Sequence, residues 1–126
     1  MKILDANMVL RFLVRDNEEM AQKVIDLLDT ESCLFTNEVA AEVVYVLGGT
    51  YKLSRADISK AILIFLEVNG VIAAEHEVLS KGLKFFGNTS FDFVDCLLIG
   101  YHQIYSYDVC TFDKKLNKFL QNLNST

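Results

Sequence analysis

Four acidic residues stand in apolar surroundings: Asp5, Glu42, Asp95 and Asp113. Glu42, for example, is the only charged residue in the stretch 39–47. An ionised carboxylate at the edge of a core is costly unless it is protonated, paired with a cation or bound to a metal. These four segments are therefore where the sequence could carry chemistry.

The four acids lack obvious basic partners, since no Lys or Arg falls in register with Glu42 or Asp95. If the four side chains converge, their charges repel one another unless a divalent cation lies between them. Carboxylate oxygens are ligands that suit Mg²⁺ or Mn²⁺. The sequence therefore favours a metal site, provided that the fold brings the acids together.

Each acid also has a structural alternative, which stays open at this point. Asp5 and Asp113 can cap helices. Glu42 can extend past its neighbours into solvent. Asp92 suits a helix N-cap position, and Asp95 then falls in the first helical turn, where the helix dipole favours acids.

Short apolar segments alternate with helical patterns along the chain. The predicted strands are Lys2–Asp5, Ser32–Thr36, Val71–Ala74 and Tyr107–Thr111. The predicted helices are Asn7–Val14, one capped by Asp16, one from Thr36 or Asn37 to Gly48-Gly49, one from the Ser54 capping box to Asn69-Gly70, His76–Phe86, Asp92–Tyr105 and Lys114–Leu123. The alternation predicts an α/β fold with a short parallel sheet of four or five strands, flanked by helices on both faces. Parallel topology would place Asp5 and Asp113, which follow strands, at one edge of that sheet.

The composition predicts a single soluble domain over residues 1–126. The chain is 52% hydrophobic and 23% charged, contains no proline and offers no polar linker at which to divide it. No apolar run approaches the length of a membrane span or of a signal-peptide core, so we expect a cytoplasmic protein. The net charge of −5 argues against a broadly basic nucleic-acid surface and against direct DNA binding, but not against a nuclease that recruits metal cations first.

The three cysteines are an odd number and widely spaced: Cys33, Cys96 and Cys110. Each has apolar neighbours, and none belongs to a C-x-x-C pair. This pattern predicts buried thiols rather than disulfides or a zinc site.

Four segments of the chain together resemble the acidic motifs of the PIN domain, most closely those of VapC-type toxins of prokaryotic toxin–antitoxin modules. The segments are Ile3-Leu4-Asp5-Ala6-Asn7-Met8-Val9-Leu10, Ala41-Glu42-Val43-Val44-Tyr45-Val46-Leu47, Asp92-Phe93-Val94-Asp95-Cys96-Leu97-Leu98-Ile99 and Thr111-Phe112-Asp113. Their order, spacing and flanking residues agree with the family, and the resemblance covers nearly the whole chain. It implies a PIN-like fold and a metal-dependent endoribonuclease that cuts single-stranded or looped RNA.

The resemblance also implies roles for individual residues. Asp5 and Asp95 correspond to principal ligands of Mg²⁺ or Mn²⁺, and Glu42 and Asp113 to further ligands or to groups that orient the attacking water. The residues expected to orient these groups or the substrate are Asn7, Asp92 and Thr111. One departure from the family is Ala6, because the residue after the first acid is usually Thr or Ser.

The resemblance further implies an RNA substrate, a homodimer and a protein antitoxin that fills the site. Arg11, Lys114 and Lys115 are candidate phosphate contacts. Several aromatic residues exceed what a small core needs to hide, so some of them could serve an interface: Tyr45, Tyr51, Phe65, Phe85 and Phe86.

Three other classes of protein compete with this interpretation. A signalling receiver domain has a similar length and an acidic Mg²⁺ pocket, but it has paired acids after the first strand, where this chain has Asp5 alone. A haloacid dehalogenase-type phosphatase would require Asp-x-Asp, and Asn7 stands at the second position. A non-catalytic α/β interaction module would use the acids only as helix caps.

Overall fold

The structure is a computed structural model, and it describes residues 1–124. Its elements follow the predicted alternation in most of the chain. In order they are β1 Lys2–Ile3, α1 Ala6–Val14, α2 Glu18–Thr30, β2 Cys33–Phe35, α3 Asn37–Gly49, α4 Arg55–Phe65, β3 Val71–Ala73, α5 His76–Asn88, α6 Phe93–Tyr105 and α7 Lys114–Asn124.

The three strands form a parallel sheet in the order β1-β2-β3. Lys2 pairs with Cys33 and Cys33 with Val71, so the central strand is β2. Cys33 and Phe35 are fully buried, and Leu34, which points to the opposite face, is half-buried. Both faces of the central strand are therefore covered.

The expectation of four or five strands is wrong, because the segment predicted as the strand Tyr107–Thr111 pairs with no strand of the described chain. The ring of Tyr107 stacks instead on Tyr101 and Tyr105 of α6. Its carbonyl oxygen lies 2.7 Å from Nδ1 of His102, and the carbonyl of Thr111 accepts a hydrogen bond from the Asn117 side chain at 2.8 Å. Side chains thus engage backbone groups that a sheet ladder would need.

Local capping fixes most of the helix starts. The side chains of Thr36 and Ser54 accept hydrogen bonds from backbone N–H groups three residues later, as their types predict. The predicted cap Asp16 is wrong, because the side chain of Asn17 caps α2 and Asp16 instead accepts from Arg11. The helix predicted to reach Asn69-Gly70 ends at Phe65.

Close packing joins α5 and α6 into a helical hairpin. A Cβ added at Gly100 would lie 2.6 Å from the carbonyl oxygen of Val78, so only glycine allows this approach of the two backbones. One cysteine also departs from expectation. All three thiols are free, but Cys110 is exposed while Cys33 and Cys96 are buried.

Candidate active site

Asp95 occupies the first turn of α6 and is half-buried. Burial raises the pKa of its carboxyl above the ordinary value, and the negative charges of Asp92 and Asp113 raise it further. Asp92 and Asp113 therefore lie within electrostatic range of Asp95, and we refer to these three residues as the acidic cluster. Two of them, Asp95 and Asp113, were among the four expected to meet.

Asp92 stands at the N-cap position of α6, as predicted, but its side chain makes no capping hydrogen bond. Its backbone carbonyl accepts a hydrogen bond from the N–H of Cys96 at 3.0 Å, which starts the helix. The carboxylate is exposed to solvent. It is therefore available to a ligand at the same end of the helix as Asp95.

Asp113 directly precedes α7 and caps it. Its Oδ1 accepts from the backbone N–H of Leu116 at 3.0 Å. The Oγ1 of Thr111 accepts from the N–H of Asp113 at 3.0 Å, and Asn117 holds the carbonyl of Thr111. Thr111 thus orients the backbone of Asp113.

Asp5 follows β1 and caps α1. Its Oδ1 accepts from the N–H of Met8 at 2.9 Å, and the carboxylate is exposed. Asn7 is exposed in the first turn of the same helix. Ala6, where the family that the chain resembles usually has Thr or Ser, is buried at 6% exposure and packs in the core.

Glu42 lies on α3 with its side chain exposed, between the buried residues Ala40 and Val43. The side chain therefore reaches solvent past an apolar face, as its structural alternative predicted. The helix α3 lies beside α6, since the Asn37 side chain donates to the hydroxyl of Tyr101 at 3.3 Å. Glu42 is thus carried by a helix that packs on the element bearing Asp95.

The acids do not form a ready metal centre. Within residues 1–124, no group of three or more His, Cys, Asp or Glu side chains is close enough to hold a metal ion. Two of the four expected acids, Asp5 and Asp113, direct one oxygen to a helix N-terminus.

The predicted phosphate contacts differ in their surroundings. Nη1 of Arg11 lies 2.9 Å from Oδ1 of Asp16, so its charge is already paired. Nζ of Lys115 donates to the hydroxyl of Ser90 at 3.2 Å and lies 5.4 Å from the ring centroid of Phe91. Lys114 is exposed beside Asp113. The two lysines directly follow Asp113 in the sequence, and the contacts of Lys115 are with Ser90 and Phe91, which precede Asp92.

Arg55 is a residue that sequence reasoning missed. Its Nε donates to the carbonyl of Phe86 at 2.9 Å, and its Nη2 donates to the carbonyl of Phe91. These bonds tie the start of α4 to the segment that leads into Asp92. In the sequence, Arg55 is marked only by its position directly after the Ser54 cap. That position indicates the start of a helix but not these contacts.

The sequence model of the family described as PIN domain matches residues 2–119 of the chain. No curated protein and no solved structure shows significant similarity to it. Among residues 1–124, no helix has both the length and the apolar character needed to cross a membrane.

Proposed function

Because this chain belongs to the PIN-domain family, we propose that it is a divalent-metal-dependent endoribonuclease and the toxin of a type II toxin–antitoxin pair. PIN domains are generally nucleases, which supports hydrolysis of nucleic acid at a coarse level. The family match over residues 2–119 gives no support to a receiver domain or to a dehalogenase-type phosphatase.

The observation that carries the proposal is that Asp95, in the first turn of α6, lies within range of the charges of two other acids, Asp92 at the N-cap of α6 and Asp113 directly before α7. Burial raises the pKa of Asp95, and the like charges of Asp92 and Asp113 raise it further, so a bound cation would relieve an existing repulsion. All the donors are carboxylate oxygens, which are the ligands that Mg²⁺ and Mn²⁺ prefer. The donor chemistry therefore fits such an ion, although the side chains would have to turn toward one another to hold it.

In the proposed site, Asp5 and Asp95 are the principal ligands, and Glu42 and Asp113 are further ligands or hold the attacking water. The capping bonds of Asp5 and Asp113 involve Oδ1, so each carboxylate keeps a second oxygen for this purpose. A divalent cation, when bound, supplies Lewis acidity that lowers the pKa of water and stabilises charge on phosphate oxygens. Thr111 keeps Asp113 in place through its backbone N–H.

The proposed biological setting is a cytoplasmic homodimer that is silenced by a protein antitoxin. Asp92 and Asp113 are exposed, and their charges act together on Asp95. A basic side chain from a partner would neutralise this cluster and occupy the place of the metal. Such a partner would thereby block cleavage of RNA.

The proposal is tested by incubating the protein with single-stranded RNA in Mg²⁺ or Mn²⁺. We expect cleavage that EDTA abolishes and that falls at least about 100-fold in Asp95→Asn, because even groups that only orient metal ligands contribute about 10–100-fold. Asp29→Asn, at an exposed acid of α2, is the matched control and should cleave like the wild type. Cleavage that survives both EDTA and Asp95→Asn would contradict the proposal.

A further inference from the structure

An open cavity of about 360 Å³ lies beside the acidic cluster, between the second half of α3 and the start of α6. Asp92 forms part of its wall and is the N-cap residue of α6, whose first turn contains Asp95. Tyr45 lines the same cavity and is 71% exposed. The cavity is therefore continuous with the candidate active site through Asp92.

The floor of this cavity is apolar and firmly held. It includes Ile58, Phe86 and Phe93, which come from three different helices and are all buried. The wall near Tyr45 borders open space at Gly49, where an added Cβ would meet nothing within 4 Å. A flat group lying against the ring of Tyr45 would therefore find apolar surface below it.

Arg55 adds a positive charge to the wall of the cavity. Its guanidinium carbon lies 3.7 Å from the ring centroid of Phe86, and its two bonds to the carbonyls of Phe86 and Phe91 hold it there. Arg55 and Asp92 both line the cavity. The cavity thus combines an exposed aromatic ring, an apolar floor and a fixed cation next to the acids.

We propose that this cavity binds one nucleobase of a single-stranded RNA, next to the phosphate that is cut, and that the base stacks on Tyr45. The inference rests on the proposed function, since it places the base beside the nuclease site. Every base has a π-face that stacks on exposed aromatic side chains, and only an unpaired base is able to enter such a pocket. The volume lies within the range of about 300–1,000 Å³ that is usual for small-molecule sites.

The chain contains no tryptophan, so Tyr45→Trp would create a single fluorescent reporter inside the cavity. We expect a single-stranded oligouridylate, added in the presence of Ca²⁺, to quench this fluorescence in a saturable manner. The same RNA in duplex form should not do so. Ile64→Trp, at a position that is 60% exposed on α4 and lines a different cavity, is the matched control and should show no quenching.

Substitutions at Tyr45 provide a second measurement on the wild-type background. Tyr45→Ala should raise the Kd for single-stranded RNA by about 5- to 150-fold, the equivalent of about 1–3 kcal/mol of stacking. Tyr45→Phe should bind like the wild type, because the π-face is kept. The exposure of Tyr45 means that these variants should fold, which thermal unfolding would check.

The outcomes separate this inference from the proposed function. Quenching at Tyr45→Trp without RNA cleavage by the wild type would support the base site and overturn the nuclease proposal. Cleavage by the wild type without quenching, or with Tyr45→Ala binding normally, would overturn the base site alone. Quenching by an amphipathic basic peptide but not by the oligouridylate would also overturn it, because the cavity would then receive a protein.

Discussion

The carboxylates of Asp95 and Asp113 interact, although they belong to the starts of different helices. The charge of Asp113 adds to burial and to the charge of Asp92 in raising the pKa of Asp95. At the same time Asp113 caps α7 through the N–H of Leu116, whose side chain is 1% exposed. The start of α7, where Leu116 is buried, therefore also places the negative charge of Asp113 near the start of α6.

The raised pKa of Asp95 predicts how the stability of the metal-free protein depends on pH. As pH rises, the unfolded chain releases this proton first, because its carboxyl has the lower pKa. Ionisation of Asp95 therefore destabilises the folded protein at neutral pH. The effect disappears at low pH, where the carboxyl is protonated in both the folded and the unfolded chain. Asp95→Asn should raise the free energy of unfolding at pH 7, measured by urea denaturation in EDTA.

This gain should shrink as pH falls toward about 4, where the carboxyl of the unfolded chain becomes protonated. Added Mg²⁺ should stabilise the wild type more than the variant and so reverse their order. An Asp95→Asn variant that is less stable than the wild type at pH 7 in EDTA would contradict the assigned repulsion.

Asp113 allows its capping role and its charge to be separated by substitution. Asn caps helices about as well as Asp, whereas Ala does not. Asp113→Ala should therefore lower the free energy of unfolding by about 0.5–2 kcal/mol, and Asp113→Asn should leave it nearly unchanged. Both variants should lose RNA cleavage, because both lack the negative charge that the proposed metal site requires. If Asp113→Asn still cleaves RNA, Asp113 acts only as a helix cap.

Gly100 is predicted to be the least replaceable glycine of the α5–α6 hairpin. Gly100→Ala would place a Cβ 2.6 Å from the carbonyl oxygen of Val78, so the two helices would have to move apart. We expect a loss of about 1–3 kcal/mol in the free energy of unfolding. Gly49→Ala is the control, since its Cβ meets nothing within 4 Å, and a smaller loss at Gly100 than at Gly49 would be the contradictory result.

Lys115 is predicted to contact an RNA phosphate next to the acidic cluster. Lys115→Gln should weaken RNA binding and reduce the slope of log Kd against log salt by about 0.7, the value expected for one phosphate of a single strand. Lys23→Gln, at an exposed residue of α2, should leave the slope as it is. Equal slopes for the Lys115→Gln variant and the wild type would show that Lys115 does not contact an RNA phosphate.

Local signals were enough to predict most of the helices. Ser54 accepts from the N–H of Asp57 at 3.1 Å, and Thr36 accepts from the N–H of Val39 at 3.3 Å, so both caps involve residues three positions apart. Such contacts are visible in the sequence itself. The misplaced cap of α2 differs by one residue, because Arg11 and Tyr51 both donate to the carboxylate of Asp16.

The predictions that failed concern residues whose surroundings are set by contacts with distant parts of the sequence. Tyr107 belongs to an apolar stretch that reads as a strand, but its ring stacks on two tyrosines of α6. Among the candidate interface aromatics, Phe65 and Phe86 are buried, whereas Tyr45 is exposed beside the acidic cluster. The periodicity of side chains in the sequence does not tell whether such a residue is buried or exposed, or whether its segment joins the sheet. These outcomes depend on which helix packs against the residue in the folded protein.

The sequence pattern and the family resemblance lead us to expect that Asp5, Glu42, Asp95 and Asp113 meet in one site. The structure places the charge of Asp113 within range of Asp95. It does not gather three ligating side chains among residues 1–124. Closing the four acids around a cation would draw on the binding energy of that cation, which the sequence pattern does not encode.

The most direct test of this account is a titration of the protein with Mn²⁺, followed by the electron paramagnetic resonance signal of the free ion. We predict saturable binding to the wild type, a Kd at least about 10-fold higher in Asp95→Asn and Asp5→Asn, and unchanged binding in Asp29→Asn. Equal Mn²⁺ binding by all four proteins, or none by the wild type, would contradict the claim that these acids form a metal site.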